Sequence, residues 1–274
     1  GFVVIYKATS VFNFAQGGFV LLGTYLTYQY AVDWDLPFYV GMILAIVTMA
    51  LIAAALERLI MRHMIGKPPF TIILVTLGLL LIIEQLVRTI WSQPSYVLTN
   101  PWGNDTFKVG DIIITHVDVW TVVFAVVLLA AFFVFFTYSR TGLGMRASAF
   151  DQEAAAAQGI SVARSFQLSW AIAGAVAVVA GVMLTARSGA GLNPGLGFIA
   201  LRAFPAMILG GLDSPGGAVA GGTAVGVAEV MAKGYLDYDW LGENFDVVVP
   251  YIVLVLVLLW RPNGLFGTRA VERV

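Results

Sequence analysis

Few residues in this chain could do covalent chemistry. It has no cysteine, which removes a thiolate nucleophile, a disulfide framework and a cysteine-ligated metal. His63 and His116 are too far apart to form a paired-histidine zinc motif. The chain also has neither a GxSxG nucleophile turn nor a GxxxxGK[ST] phosphate loop. What remains is the chemistry of recognition. Asn13 and Gln16 stand three residues apart and share a face wherever their segment is helical. Their uncharged carboxamides donate and accept, which suits a zwitterionic or amide solute; a polar clamp between two helices would use the same groups. Glu84 and Arg88 lie one helical turn apart and most simply pair with each other. Arg202 sits inside an apolar stretch, where facing lipid would be expensive, so a cavity, a partner subunit or the interface is its expected surroundings.

The elements that must position these groups are membrane spans. Of 274 residues, 59% are hydrophobic and 11% charged, and the mean hydropathy is +0.88. A soluble domain carries about a quarter charged residues, so a soluble enzyme and a disordered tail are excluded. The net charge of -1 offers no basic field for nucleic acid. Apolar runs at 16–32, 38–57, 70–91, 118–138, 166–187, 216–233 and 247–260 have the character of spans. A shorter run at 196–212 is broken by Arg202, Pro205 and Gly210-Gly211. Arg58, Arg62 and Lys67, then Arg140, Arg146 and Arg164, then Arg261 and Arg269 mark the 58–69 loop, the 139–165 segment and the C-terminus as cytoplasmic. The acidic or neutral stretches at 33–35, 92–117 and 237–246 are then external. Parity requires 196–212 to cross as well, unless 188–215 is re-entrant. The expected fold is an all-α polytopic membrane protein of about eight transmembrane helices, some broken or short, forming one domain over 1–274. The apolar segment at 2–6, too short to span, reads as the tail of a helix that starts upstream.

Three stretches depart from plain spans. Residues 107–114 read as two short strands around a Gly110-Asp111 turn, a small external β-hairpin. It is either a cap over helix ends or a docking surface for an external partner. Residues 10–18 and the glycine-dense 187–226 break helix rules at membrane depth, where irregular backbone is tolerated only inside protein or beside a cavity. Gly217/Gly221 and Gly222/Gly226 form small-xxx-small pairs suited to close helix packing. The cytoplasmic 139–165 segment contains an alanine-rich short helix ended by a glycine, Gly159. It is either a solvated amphipathic helix or a rigid knob presented to a cytosolic partner.

Glu153-Ala154-Ala155, followed after three residues by Gly159, resembles the loop by which ABC importer permeases engage their ATPases. Asn13-Phe14-Ala15-Gln16-Gly17, the 140–159 loop, Gly210 to Gly217 and Arg261 to Gly267 together resemble the branched-chain amino-acid ABC transporter permease family, most closely its LivH-like subunits. The resemblance runs in order along essentially the whole chain. It implies a permease subunit with no catalytic site and no cofactor of its own, working with a homologous second permease, two cytoplasmic ATPases that bind ATP-Mg and an external solute-binding protein. It implies a multi-pass protein of the bacterial inner membrane, in contact with lipid and not with nucleic acid, importing branched-chain or other hydrophobic amino acids. It places Asn13, Gln16 and Gly17 in the family's NFA(H/Q)G motif near the translocation path, and Arg146, Asp151, Glu153 and Gly159 in the coupling loop; Arg202, as a charge inside an apolar stretch, is a further path candidate. Family members commonly carry an acid where this chain has Gly18, and urea and short-amide permeases share the framework, so those solutes are the alternative cargo. An ion-coupled carrier working alone is disfavoured by the lack of a mid-helix acid cluster.

Overall fold

The structure is a computed structural model that describes residues 1–9, 11–64, 66–92, 95–99, 101–102, 105–110, 112–186, 191–212, 214–235, 245, 248–261 and 264–267. The chain divides into two compact units, 1–201 and 202–274. The first contains α1 (Phe2–Thr9), α2 (Gln16–Tyr28) with a π-helical extension (Gln29–Asp33), α3 (Phe38–Leu59), a 3-10 turn (Met61–Met64) and α4 (Pro69–Ile90). There follow strands β1 (Thr106–Val109) and β2 (Ile112–Thr115), then α5 (His116–Tyr138), α6 (Arg140–Phe150), α7 (Gln152–Ala157), α8 (Val162–Ala186) and α9 (Leu196–Leu201). The second contains α10 (Ala203–Gly210), α11 (Pro215–Tyr235) and α12 (Val249–Trp260).

Among the described residues, α3, α4, α5 and α8 are long and apolar enough to cross a membrane, and they coincide with four of the expected spans. The other expected spans consist of shorter or less apolar pieces. The 16–32 span is α2 plus its π-helical turn, and 196–212 is divided at Arg202 between α9 and α10. Pro205 is accommodated in the first turn of α10, where a missing N–H leaves nothing unpaired. The hairpin forms as its alternation suggests, with Thr106 opposite Thr115 and Lys108 opposite Ile113, and Gly110 turns it at φ +64°. Ser10, Asp111, Arg187, Gly189, Ala190, Asp213, Pro262, Asn263, Arg269 and, apart from Phe245, the 237–246 stretch expected to be external lie outside the described residues.

The first unit is built around α8. Small residues let it lie between α2 and α3: a Cβ at Gly174 would stand 2.8 Å from Ala53 Cβ and from the Met49 carbonyl, and one at Gly181 would stand 2.8 Å from the Val20 carbonyl. Without hydrophobic drive from lipid, such close packing is what holds membrane helices together. Buried hydroxyls in this core are satisfied within their own helices: Thr24 donates to the Val20 carbonyl at 2.7 Å, Thr27 to Gly23 at 2.9 Å and Thr185 to Gly181 at 2.9 Å. At the opposite extreme, most side chains of α5 are exposed and apolar, with only Val117 and Phe136 buried. That is the composition of a lipid-facing helix.

Candidate functional site

The segment 11–15 separates α1 from α2. Asn13 turns the chain there by accepting the Ala15 N–H on Oδ1 at 3.1 Å, the local bond that makes asparagine a turn residue. The Phe14 N–H donates to Thr76 Oγ1 on α4 at 3.2 Å, and Thr76 passes its own proton to the Ile73 carbonyl at 2.9 Å. Gln16 opens α2 and donates from Nε2 to the Ala173 carbonyl of α8 at 3.1 Å. These backbone partners fix both carboxamides. The remaining ends, Asn13 Nδ2 and Gln16 Oε1, are buried with no partner among the described residues, in side chains 1% and 3% exposed. Buried polar groups are rarely left so, and one free donor with one free acceptor on a single turn can together bind a polar group. Next to them Gly17 lies against Gly197 of α9 so closely that a Cβ would overlap the Gly197 carbonyl oxygen.

The expected path residues Asn13, Gln16 and Gly17 are therefore gathered at one break. Arg202 belongs to the second unit, exposed at the N-terminal end of α10. Glu84 and Arg88 pair as their spacing suggests, Nη2 to Oε1 at 2.7 Å.

The coupling candidates occupy one continuous surface segment. Ser139 caps α6 by accepting the Gly142 N–H at 2.9 Å, and Asp151 caps α7 by accepting the Ala154 N–H at 2.9 Å. α7 closes with Gly159 at φ +79°. The Gly159 N–H bonds to the Ala156 carbonyl at 2.9 Å and the Ile160 N–H to the Ala155 carbonyl at 3.0 Å, the paired pattern of a Schellman stop. Arg146 on α6 and Glu153 in the first turn of α7 are exposed. On α6, Leu143 and Phe150 flank Arg146 on the same face and are 58% and 83% exposed. A capped, rigid helix beside an exposed apolar face can transmit a push from a partner.

Sequence reasoning passed over Glu57. In the last turn of α3 it is buried, pairs through Oε2 with Arg62 at 3.1 Å and leaves Oε1 without a partner among the described residues. It lines a cavity of about 70 Å3 together with Thr9 and Val11 beside the break and Gln152 of α7. The signal was available: an acid ending an apolar run five residues before an arginine.

In the second unit, two further motif segments meet. The Leu265 N–H bonds to the Leu209 carbonyl at 2.8 Å and the Phe266 N–H to the Gly210 carbonyl at 3.2 Å. Gly210 and Gly217 approach so closely that a Cβ on either would overlap the other's carbonyl oxygen. Ser214 caps α11 by accepting the Gly217 N–H at 2.9 Å. The Gly217/Gly221 pair thus packs as expected. Gly222 and Gly226 differ, since no described atom lies within 4 Å of a Cβ at Gly226.

Residues 1–258 match the family described as the permease component of branched-chain amino acid transport systems. The chain is 30% identical over 290 residues to the high-affinity branched-chain amino acid transport system permease protein LivH of Salmonella typhimurium, covering 100% of this chain and 91% of that protein. It is 30% identical over 291 residues to LivH of Escherichia coli, with 100% and 91% covered. It is 28% identical over 289 residues to the corresponding permease protein BraD of Pseudomonas aeruginosa, with 100% and 92% covered. No solved structure matches the chain. With its motifs brought together in each unit and the match running over nearly its whole length, this chain belongs to the branched-chain amino acid transport permease family.

Proposed function

We propose that this chain is the transmembrane permease subunit of an ATP-driven importer in the bacterial inner membrane, crossing it about eight times with its C-terminus in the cytoplasm. It passes branched-chain or other hydrophobic amino acids received from an external solute-binding protein, with the 92–117 loop on the external side. A homologous permease completes the channel, and two cytoplasmic ATPases bind ATP-Mg. The observation that carries this reading is α7: an exposed helix capped at both ends by Asp151 and Gly159 and bearing Glu153. It forms a small rigid body inside the 139–165 segment. Closure of the ATPases on α6 and α7, through Arg146 and Glu153, would shift packed helices as near-rigid bodies between outward-open and inward-open arrangements. Asn13, Gln16 and Gly17, with Arg202, then offer weak polar contacts that a solute can leave as easily as it enters.

A second reading, a urea or short-amide permease on the same framework, is favoured by Gly18. A Cβ there would meet the Ile83 side chain at 3.1 Å, so the place where relatives carry an acid is occupied by an apolar group.

The test is ATP hydrolysis by the complex reconstituted with its ATPases, sister permease and binding protein, to which leucine and then urea are added. Stimulation by leucine-loaded binding protein is the expected result. Stimulation by urea alone would transfer the cargo to the second reading, and ATPases that never co-purify with the chain would sink the importer reading. Replacing Glu153 or Gly159 should lower both uptake and stimulated hydrolysis while the subunit stays in the membrane.

A further inference from the structure

A cleft of about 580 Å3 opens between α6 and α8 and shares no lining residue with the Glu57 cavity. Arg140 and Thr141 from the first turn of α6 line it, with Ser161 and Arg164 from the start of α8. Its apolar wall is Ala54 of α3 with Leu168 and Ala171 of α8. Residues 164, 168 and 171 follow the helical repeat along one face of α8. The cleft therefore runs from a basic mouth at the cytoplasmic end into the depth of a membrane span. Gln167 ties the wall together by donating to the Ala54 carbonyl at 3.4 Å.

The two arginines are exposed, and neither has a carboxylate partner among the described residues, whose ion pairs are Glu57–Arg62 and Glu84–Arg88. Two unpaired guanidiniums, each able to hold phosphate oxygens in a forked pair of hydrogen bonds, call for an anion. The wall behind them calls for hydrocarbon. A soluble anion would use the mouth and leave the wall empty. An acidic protein segment from the cytosol has no use for a wall at span depth. An amphiphile satisfies both, and basic pockets between helices on the cytoplasmic side are where anionic lipid head groups settle.

We propose that the cleft between α6 and α8 binds an anionic phospholipid, its phosphate on Arg140 and Arg164 and an acyl chain along Ala54, Leu168 and Ala171. The hydroxyls of Thr141 and Ser161 line the head-group end. Gly159 and Ile160, which stop α7, form the adjoining wall, so a bound lipid also sets the position of that helix at the membrane surface. The inference rests on the membrane topology proposed above, with this end of α8 in the cytoplasm; it does not rest on the solute or on ATP.

The full chain is purified in micelles containing phosphatidylglycerol and phosphatidylcholine, and retained lipid is counted by native mass spectrometry. Wild type should keep one phosphatidylglycerol in preference to phosphatidylcholine. R140Q/R164Q should weaken that retention about thirtyfold, the product expected of two arginines at a membrane surface. Leu168→Trp, which fills the wall without touching charge, should weaken it as well. As both arginines are exposed, the first variant should fold, and the second tests the same site independently. Equal retention by wild type and R140Q/R164Q would overturn the proposal. So would displacement by excess inorganic phosphate, which would make this a soluble-anion site. Loss of the lipid on assembly with the ATPases would overturn it too, assigning the cleft to a protein partner.

Discussion

The break at 11–15 and the short helix α7 are similar in length and punctuation, yet they are stabilised in different ways. Each begins with an amide or acid side chain that takes a backbone N–H: Asn13 from Ala15 and Asp151 from Ala154. α7 is then completed by its own sequence neighbours, Gly159 and Ile160. The break has local bonds too, among them Val11 N–H to Thr9 Oγ1 and Gln16 N–H to the Asn13 carbonyl, both at 3.3 Å, but it is also tied to distant elements: Thr76 from α4, Ala173 from α8 and Gly197 from α9. The exposed helix is locally encoded and can be displaced as a unit without losing its bonds. The buried break is encoded by the fold, and any shift of α4, α8 or α9 must alter it. One segment is suited to receive a push, and the other to respond when its neighbours move.

If that contrast is right, the most damaging small change is at the break. Gly17→Ala places a Cβ on the Gly197 carbonyl oxygen, and overpacking of this kind costs about 1–3 kcal/mol, with backbone as the obstacle keeping it near the upper end. The thermal midpoint of the purified protein should fall by several degrees. Gly226→Ala, with no described atom within 4 Å of its Cβ, should instead hold or raise the midpoint, by about 0.5–1 kcal/mol of recovered helix propensity. Equal losses at both glycines would mean that close approach at Gly17 is not what holds the break.

Gln16→Leu separates stability from transport at the same place. It loses one hydrogen bond to Ala173 but also removes an acceptor that is buried without a partner. The net change should be about 1 kcal/mol or less. Uptake by the reconstituted complex should nevertheless fall at least tenfold if, as proposed, the free acceptor is the group offered to solute. Unchanged uptake with a normal midpoint would reduce Gln16 to a helix clamp.

The contrast also explains which features could be read in the sequence. The body and glycine stop of α7 were legible because every bond in it joins residues within five positions of each other; the Asp151 cap is as local but shows only in the structure. The Glu84–Arg88 pair was legible for the same reason, and the hairpin because its pairings reach no further than nine positions around one turn. The close contact of Gly17 with Gly197, and of Gly210 with the returning Leu265-Phe266 segment, joins residues far apart in sequence; motifs mark Gly17, Gly210 and Leu265-Phe266, but not Gly197, and none says what its residues touch. Glu57 escaped notice because an acid at the end of an apolar run reads as a loop residue until burial shows otherwise. Asn13 and Gln16 were identified by type and spacing, but the fixed direction of their free ends depends on Ala15 and Ala173.

For α7 the effects should be smaller and nearly independent of tertiary packing. Asp151→Ala removes one cap, worth about 1 kcal/mol. Gly159→Ala forces a side chain into a left-handed turn at a similar cost of about 1 kcal/mol, while Gly159→Asn should lose less, asparagine being the other residue used at this position. Hydrogen exchange should report these losses as faster exchange confined to 152–160, with the core of α8 unchanged. Spreading of faster exchange to the 11–15 segment would show that α7 is not a self-contained body.

The smallest effect belongs to a pair that belongs to neither region. Arg88 and Glu84 meet at 2.7 Å on α4, with the arginine side chain 49% exposed. Ion pairs of this i, i+4 kind contribute about 0.3–0.5 kcal/mol because solvent and salt screen them. Glu84→Gln keeps the side-chain volume and an acceptor for Arg88, so the midpoint should move by no more than about a degree and transport should be unaffected. A large loss of uptake with an unchanged midpoint would place Glu84 on the solute's route. The polar path would then extend from the break along α4, and the carboxamides at Asn13 and Gln16 would be only its first step.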